Sequence, residues 1–229
     1  MNKILIILTI IISGCTSKND EPAKTISANN AEMEIANPNS PAEILPLKKE
    51  IQTGDLIFHT SSSGQSLAIQ IASNSKYSHV GMIYKQGEKD YVLEAVQPVK
   101  LTLLSKFIDR GENKHYVVKR LKNSDGVLTP EGIAKMKSIG KKYLNKNYDL
   151  KFEWSDDKIY CSELVWKIYD QAFGIKIGAL QQIKDFDLSD PVVKEKAKER
   201  YGNNIPVEEL IITPDRMFQS DKLVTVLEE

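Results

Sequence analysis

Tyr160-Cys161-Ser162-Glu163-Leu164-Val165-Trp166 holds the thiol around which the rest of the chain is organised. From this point Leu164, Val165, Ile168, Tyr169 and Ala172 recur along one side of a helix that should end near Gly174, which places Cys161 at or just before the first helical turn. Unpaired backbone amides and the positive end of the helix dipole favour a thiolate there. The same amides, that of Cys161 included, are placed to donate to an oxyanion on an attacked carbonyl. A lone cysteine is also a common small buried hydrophobe. Its surroundings decide between the two readings.

A nucleophilic thiolate needs a base that holds its proton and later protonates a leaving amine. Among the three histidines, His79 is best placed. In Ser78-His79-Val80-Gly81-Met82-Ile83, residues Val80, Met82 and Tyr84 fall on one face of a strand and His79, Gly81 and Ile83 on the other. A strand-like pattern resumes over Tyr91 to Val96 after the polar, glycine-containing stretch Lys85 to Asp90, so a hairpin is expected. If its turn is centred between Gln86 and Gly87, Glu94 lies directly opposite His79, within reach to fix the imidazole tautomer and stabilise its charged form. A one-residue slip would turn Glu94 to the far face. His59, at the end of a first strand, and His115, beside another strand start, are the lesser alternatives. Taken singly, His79 also reads as a core histidine and Glu94 as a solvated strand carboxylate.

Outward from these elements, Gly54-Asp55-Leu56-Ile57-Phe58 reads as a turn entering a strand, and Ser61-Ser62-Ser63-Gly64 as a loop into a short helix with Leu67, Ile71 and Ala72. Tyr116 to Leu121 suits another strand. Thr129-Pro130-Glu131 combines an N-cap, a first-turn proline and an acid ahead of a helix. A charged helix around Val192 to Arg200, a helix start at Thr213-Pro214-Asp215 and a strand from Leu223 to Leu227 complete the domain. Strands and helices do not alternate regularly, which predicts an α+β fold with a mainly antiparallel sheet.

The N-terminus sets the expected compartment. Lys3 precedes a short apolar run, Ile4 to Ile12, that is too short to span a bilayer. It ends in Ile12-Ser13-Gly14-Cys15, which looks like a bacterial lipobox, so residues 1–14 read as a lipoprotein signal and Cys15 as the lipidated mature N-terminus. The expected membrane partner is reached through that anchor, since several acyl chains hold a protein stably where one does not. Residues 15–50, rich in Ser, Asn, Pro, Ala and Glu, read as a tether. Residues 51–229 then form one domain. Thr16 and Ser17 lack the aspartate that retains enteric lipoproteins at the inner membrane, so the outer membrane is favoured by analogy.

Lysine plus arginine and aspartate plus glutamate both number 31, so no global basic field invites nucleic acid. The chain has two cysteines; with Cys15 lipidated, Cys161 has no disulfide partner in an exported domain, where an idle free thiol is a liability. No His-Glu-x-x-His or paired-cysteine set suggests a metal, and no cofactor is expected. Ser61-Ser62-Ser63-Gly64 lacks a Gly-x-Ser-x-Gly elbow, which disfavours a serine hydrolase.

Together Gly54-Asp55-Leu56-Ile57-Phe58, Ser78-His79-Val80-Gly81-Met82-Ile83, Glu94-Ala95-Val96, Tyr148-Asp149 and the Cys161 segment resemble the YiiX-like permuted papain-like enzymes of the NlpC superfamily, over about Ile51 to Val226. In this circularly permuted group histidine precedes cysteine, the order found here. The resemblance implies Cys161 as nucleophile, His79 as base and Glu94 as the orienting residue of a cysteine hydrolase. It also implies an aromatic residue near the cysteine, for which Tyr201 is the match. It does not fix a substrate: an amide bond in cell-wall peptide, a lipid, or another peptide stand in that order. A non-catalytic binding lipoprotein and an acyltransferase on the same fold remain the alternatives.

Overall fold

The computed structural model describes residues 50–229. The signal segment 1–14, the lipidation site Cys15 and, apart from Glu50, the tether 15–50 lie outside the described residues. In chain order the elements are β1 (Leu56–His59), α1 (Gly64–Ser73), β2 (His79–Gln86), β3 (Lys89–Glu94), β4 (Lys100–Leu103), α2 (Leu104–Ile108), β5 (Val117–Leu121) and α3 (Ser124–Val127). They continue as α4 (Pro130–Tyr143), β6 (Asn147–Tyr148), β7 (Lys158–Ile159), α5 (Cys161–Phe173), β8 (Gln181–Gln182), α6 (Pro191–Tyr201), β9 (Leu210–Ile211), α7 (Pro214–Phe218) and β10 (Leu223–Glu228).

Six strands form one antiparallel sheet in the order β10-β5-β1-β2-β3-β4. This is the α+β architecture the irregular element order predicts. Both faces of its central strands are buried. Val80, Met82 and Tyr84 of β2 pack with Leu164, Val165 and Ile168 of α5 and Met136 of α4, while Ile83 meets Ile57, Val92 and Phe107 on the opposite face. A fully buried side chain of this kind contributes about 1.5–3 kcal/mol. The period-two pattern therefore identifies β2 as a strand even though neither of its faces is wet.

Helix ends follow the chemistry of their caps. Thr129 Oγ1 accepts from the Gly132 amide at 3.2 Å and Pro130 sits in the first turn, so α4 starts where a donor would otherwise go unpaired. Ser63 caps α1 through the Ser66 amide at 3.1 Å, and Thr213 caps α7 through that of Arg216 at 3.2 Å. α5 stops at Gly174, whose φ of 68° is the left-handed conformation that an L side chain resists.

The expected hairpin forms with a different register. Met82 pairs with Leu93, Ile83 with Val92 and Lys85 with Asp90, which centres the turn between Gly87 and Glu88. Continuing that register sets Glu94 across from Gly81 instead of His79. Because both strands move by one residue, the facing parity is kept, and Glu94 stays on the His79 face as its diagonal neighbour.

Candidate active site

The start of α5 is pinned by the residues on either side of Cys161. Tyr160 turns its phenol oxygen to accept the Ile212 amide at 3.1 Å, and the Ser162 hydroxyl donates to the Ile212 carbonyl at 2.7 Å. Glu163, wholly buried, accepts the Tyr160 amide at 3.4 Å and lies 2.8 Å from Lys167 Nζ one turn on. Trp166 Nε1 donates to the Gly178 carbonyl at 3.2 Å. Cys161 is thereby held, 2% exposed, against the end of β2.

Burial alone would push the Cys161 thiol up, but the His79 charge and hydrogen bond outweigh it, assisted by the backbone amides of Val80 and Ser162, and the net direction is down. His79 Nε2 lies 2.7 Å from Glu94 Oε2. With the carboxylate accepting there, the proton sits on Nε2 and Nδ1 is left for the thiol. Burial lowers the His79 pKa; the thiolate as charge and hydrogen-bond partner, with Glu94 behind, overcomes this and raises it to about 9. The two shifts belong to one thiolate–imidazolium pair.

Glu94 is buried, yet His79, Arg110 and Thr102 together hold its carboxyl down at about 2. Thr102 Oγ1 donates to Oε1 at 2.6 Å, and Arg110 Nη2 reaches Oε1 at 2.5 Å and Oε2 at 2.6 Å. Both of these residues come from the β4–α2 region, which has no strong periodic signature, and sequence reading missed them. The same region supplies Phe107, whose ring stacks 5.6 Å from that of His79. Gly81 makes room for this layer: a Cβ there would stand 2.3 Å from Val92 Cγ1 and 3.4 Å from Phe107 Cε2.

Two further aromatic positions border the thiol. Tyr201 lines the same cleft, but its hydroxyl donates to the Lys151 carbonyl at 2.6 Å. Tyr148 shares the cleft wall with Cys161; burial first, then the charge of Cys161, push its phenol well up, and Gln65 Nε2 donates to its hydroxyl at 3.0 Å. The Tyr148-Asp149 motif carried that signal without indicating which residue faces the thiol. His59 lies 5.2 Å from His79, ring to ring, and stacks on Phe107; burial first, then the neighbouring charges of His79 and Arg110, depress it to about 3 and keep it neutral. His115 instead pairs loosely with Glu228 at 3.6 Å, and neither cleft described here includes it.

Cys161 opens on a cleft lined almost wholly by apolar atoms, among them Ile69 and Ala72 of α1, Phe152, Val193 of α6 and Ile212. His79 opens on a second, polar cleft with Ser61, Ser63, Gln65, Gln97 and Arg110. Tyr148 forms part of the wall of both.

Residues 50–227 match the profile of the permuted papain-like amidase enzymes of the YaeF/YiiX type, the C92 peptidases. The uncharacterized protein YiiX of Escherichia coli K12 is 49% identical over 178 residues, which are 78% of this chain and 87% of that one. A solved structure described as metalloprotein yiiX from Escherichia coli O157:H7 superposes with a TM-score of 0.74 at 50% identity, over 78% of this chain and 97% of that chain.

Proposed function

From the premise that the chain belongs to the permuted papain-like amidase family, a family of cysteine hydrolases, we propose that it cleaves acyl bonds through Cys161, His79 and Glu94. The observation that carries this reading is the 2.7 Å contact between His79 Nε2 and Glu94 Oε2, with the His79 charge holding the Cys161 thiol toward its thiolate.

In the first step the Cys161 thiolate attacks the carbonyl carbon, and the developing oxyanion accepts from amides at the start of α5 and from the Tyr148 hydroxyl. The imidazolium gives its proton to the leaving amine as the carbon–nitrogen bond breaks, which leaves a thioester on Cys161. Water then attacks the thioester, His79 takes its proton, and the acid departs from the regenerated thiolate. Glu94, fixed by Arg110 and Thr102, keeps the imidazole in the productive tautomer throughout.

The relative described as a metalloprotein raises the question of a metal here. Among the described residues no three or more His, Cys, Asp or Glu side chains stand together in a set able to hold an ion. Glu94 is engaged by three partners, and His79 is shared between Glu94 and the thiol. These residues do not fit a metal, and no step above passes through one.

The apolar lining beside Cys161 favours a substrate with an apolar acyl portion joined through an amide or ester. Ile12-Ser13-Gly14-Cys15 supports export and a lipid anchor, so the substrate belongs to the cell envelope. The test is incubation of the purified protein and of Cys161→Ala with peptidoglycan fragments and acylated lipids, read by mass spectrometry. Hydrolysed product from the parent alone is expected. Transferred acyl groups would make it an acyltransferase, ligand bound without turnover would make it a binding protein, and turnover by Cys161→Ala would refute the nucleophile.

A further inference from the structure

We infer that the polar cleft on the His79 side is the leaving-group subsite, and that it selects acyl amides or esters whose leaving group carries an anion, a carboxylate or a phosphate. This deepens the hydrolase reading and rests on it for the direction of the substrate. The imidazolium protonates the departing atom, so that atom must lie on the His79 side of the attacked carbon. The acyl portion, which stays on sulfur, must then lie on the Cys161 side. The two clefts differ in character accordingly: the thiol borders the apolar one and the imidazole the polar one, with Tyr148 between them.

Three features give the polar cleft a positive field. Arg110 contributes one: its Nη2 is spent on Glu94, but its remaining N–H donors have no protein partner among the described residues, and the side chain is 42% exposed. His79 in its imidazolium form is the second. The third is the N-terminus of α1, a ten-residue helix whose opening residues Ser63, Gln65 and Ser66 all line the cleft. Among the described residues no aspartate or glutamate lines the cleft itself; Glu94, buried behind Arg110 and His79, offsets part of their charge and leaves the outward guanidinium donors and the α1 terminus to face a ligand. The hydroxyls of Ser61 and Ser63 also line the cleft as additional donors. A guanidinium with unused donors, in a wall free of carboxylates, is matched to a carboxylate or phosphate.

The test is calorimetric binding to the full chain carrying Cys161→Ala, which removes turnover from the measurement. Two matched pairs serve as probes: N-decanoylglycine against N-decanoylglycinamide, and N-decanoyl phosphoethanolamine against N-decanoylethanolamine. At least one anion should bind about tenfold more tightly than its neutral partner, the worth of a single charge-assisted hydrogen bond. A preference confined to the carboxylate points to acylated amino acids or peptides, and one confined to the phosphate to acylated phospho-amino alcohols. Arg110→Met and, separately, Ser61→Asp should each cut the preference below about twofold, the latter by adding a negative charge to the cleft. Anions that bind no better than the neutral compounds, or not at all, overturn the inference, as does a preference that survives both substitutions. The nucleophile is tested apart from this, by the burst of p-nitrophenolate from p-nitrophenyl decanoate and an acyl adduct on Cys161. Each result can therefore fail without the other.

Discussion

Cys161 is buried yet held toward its charged form, so its reactivity is a property of the pair it forms with His79. An unperturbed thiol loses most of its thiolate below about pH 8.5. Here the imidazolium persists up to about 9 and keeps the thiolate in place on the acid side. Iodoacetamide alkylation of the chain carrying Cys15→Ser, in which Cys161 is the one thiol, should therefore stay fast well below neutral pH. His79→Ala should move the profile upward toward that of a free thiol, and Glu94→Gln should move it less in the same direction. A parent profile like that of free cysteine would sink the pair. Turnover of an amide has a second limb: above pH 9 the imidazolium that must protonate the amine is lost. The rate should fall there while alkylation does not.

At the scale of elements, the site depends on the β2–β3 hairpin carrying Glu94 diagonally to His79, with Phe107 of α2 packed against both histidine rings. Gly81 is the point of closest approach. In Gly81→Ala the added Cβ meets Val92 Cγ1 at 2.3 Å and the Leu93 carbonyl oxygen at 3.2 Å, so strand β3 has to move just before Glu94. Overpacking of this kind costs about 1–3 kcal/mol. Activity should drop further than stability does, because a displaced carboxylate loses its 2.7 Å contact with His79 while the sheet survives. Circular dichroism and turnover measured on the same preparation check this; unchanged turnover would mean that the hairpin does not set the relay.

On the whole-molecule scale, one ion pair ties the strands at the middle of the sheet. Arg120 Nε and Nη2 each lie 2.7 Å from an oxygen of Asp55, which is fully buried and also accepts the Gln52 amide at 2.8 Å. Removing Asp55 takes two charge-assisted hydrogen bonds from Arg120, which keeps the Glu50 carbonyl and partial exposure, and leaves the Gln52 amide without its acceptor, at a cost of about 3 kcal/mol. Asp55→Ala should lower the melting temperature by roughly 6–12 °C for a domain of this size. A shift within a degree or two would place the pair among surface contacts. Localisation is a separate property of the chain. Cys15→Ser should move the protein from the membrane to the soluble fraction without altering the melt of the domain, and retention in washed membranes would count against the lipid anchor.

What was legible in the sequence is what local chemistry dictates. Cys161 at a helix start, the Thr129-Pro130 cap, the Gly174 stop and the two-faced alternation of β2 all follow from caps, φ preferences and side-chain periods that act within a few residues. These, with the quoted motifs, sufficed for the α+β class and for singling out Cys161, His79 and Glu94 as candidates. The hairpin centre was misplaced by one residue, since Gln86, Gly87 and Glu88 all suit a turn and only the pairing of Met82 with Leu93 separates the options. Arg110 and Thr102 were not legible beside Glu94, and nothing in their own neighbourhoods marks them; Tyr148 stood in a quoted motif that did not show it bordering the thiol. The tertiary structure alone decided them, because a hydrogen bond to a buried carboxylate or thiolate depends on which backbone segments pack together, and packing is a sum over the whole core.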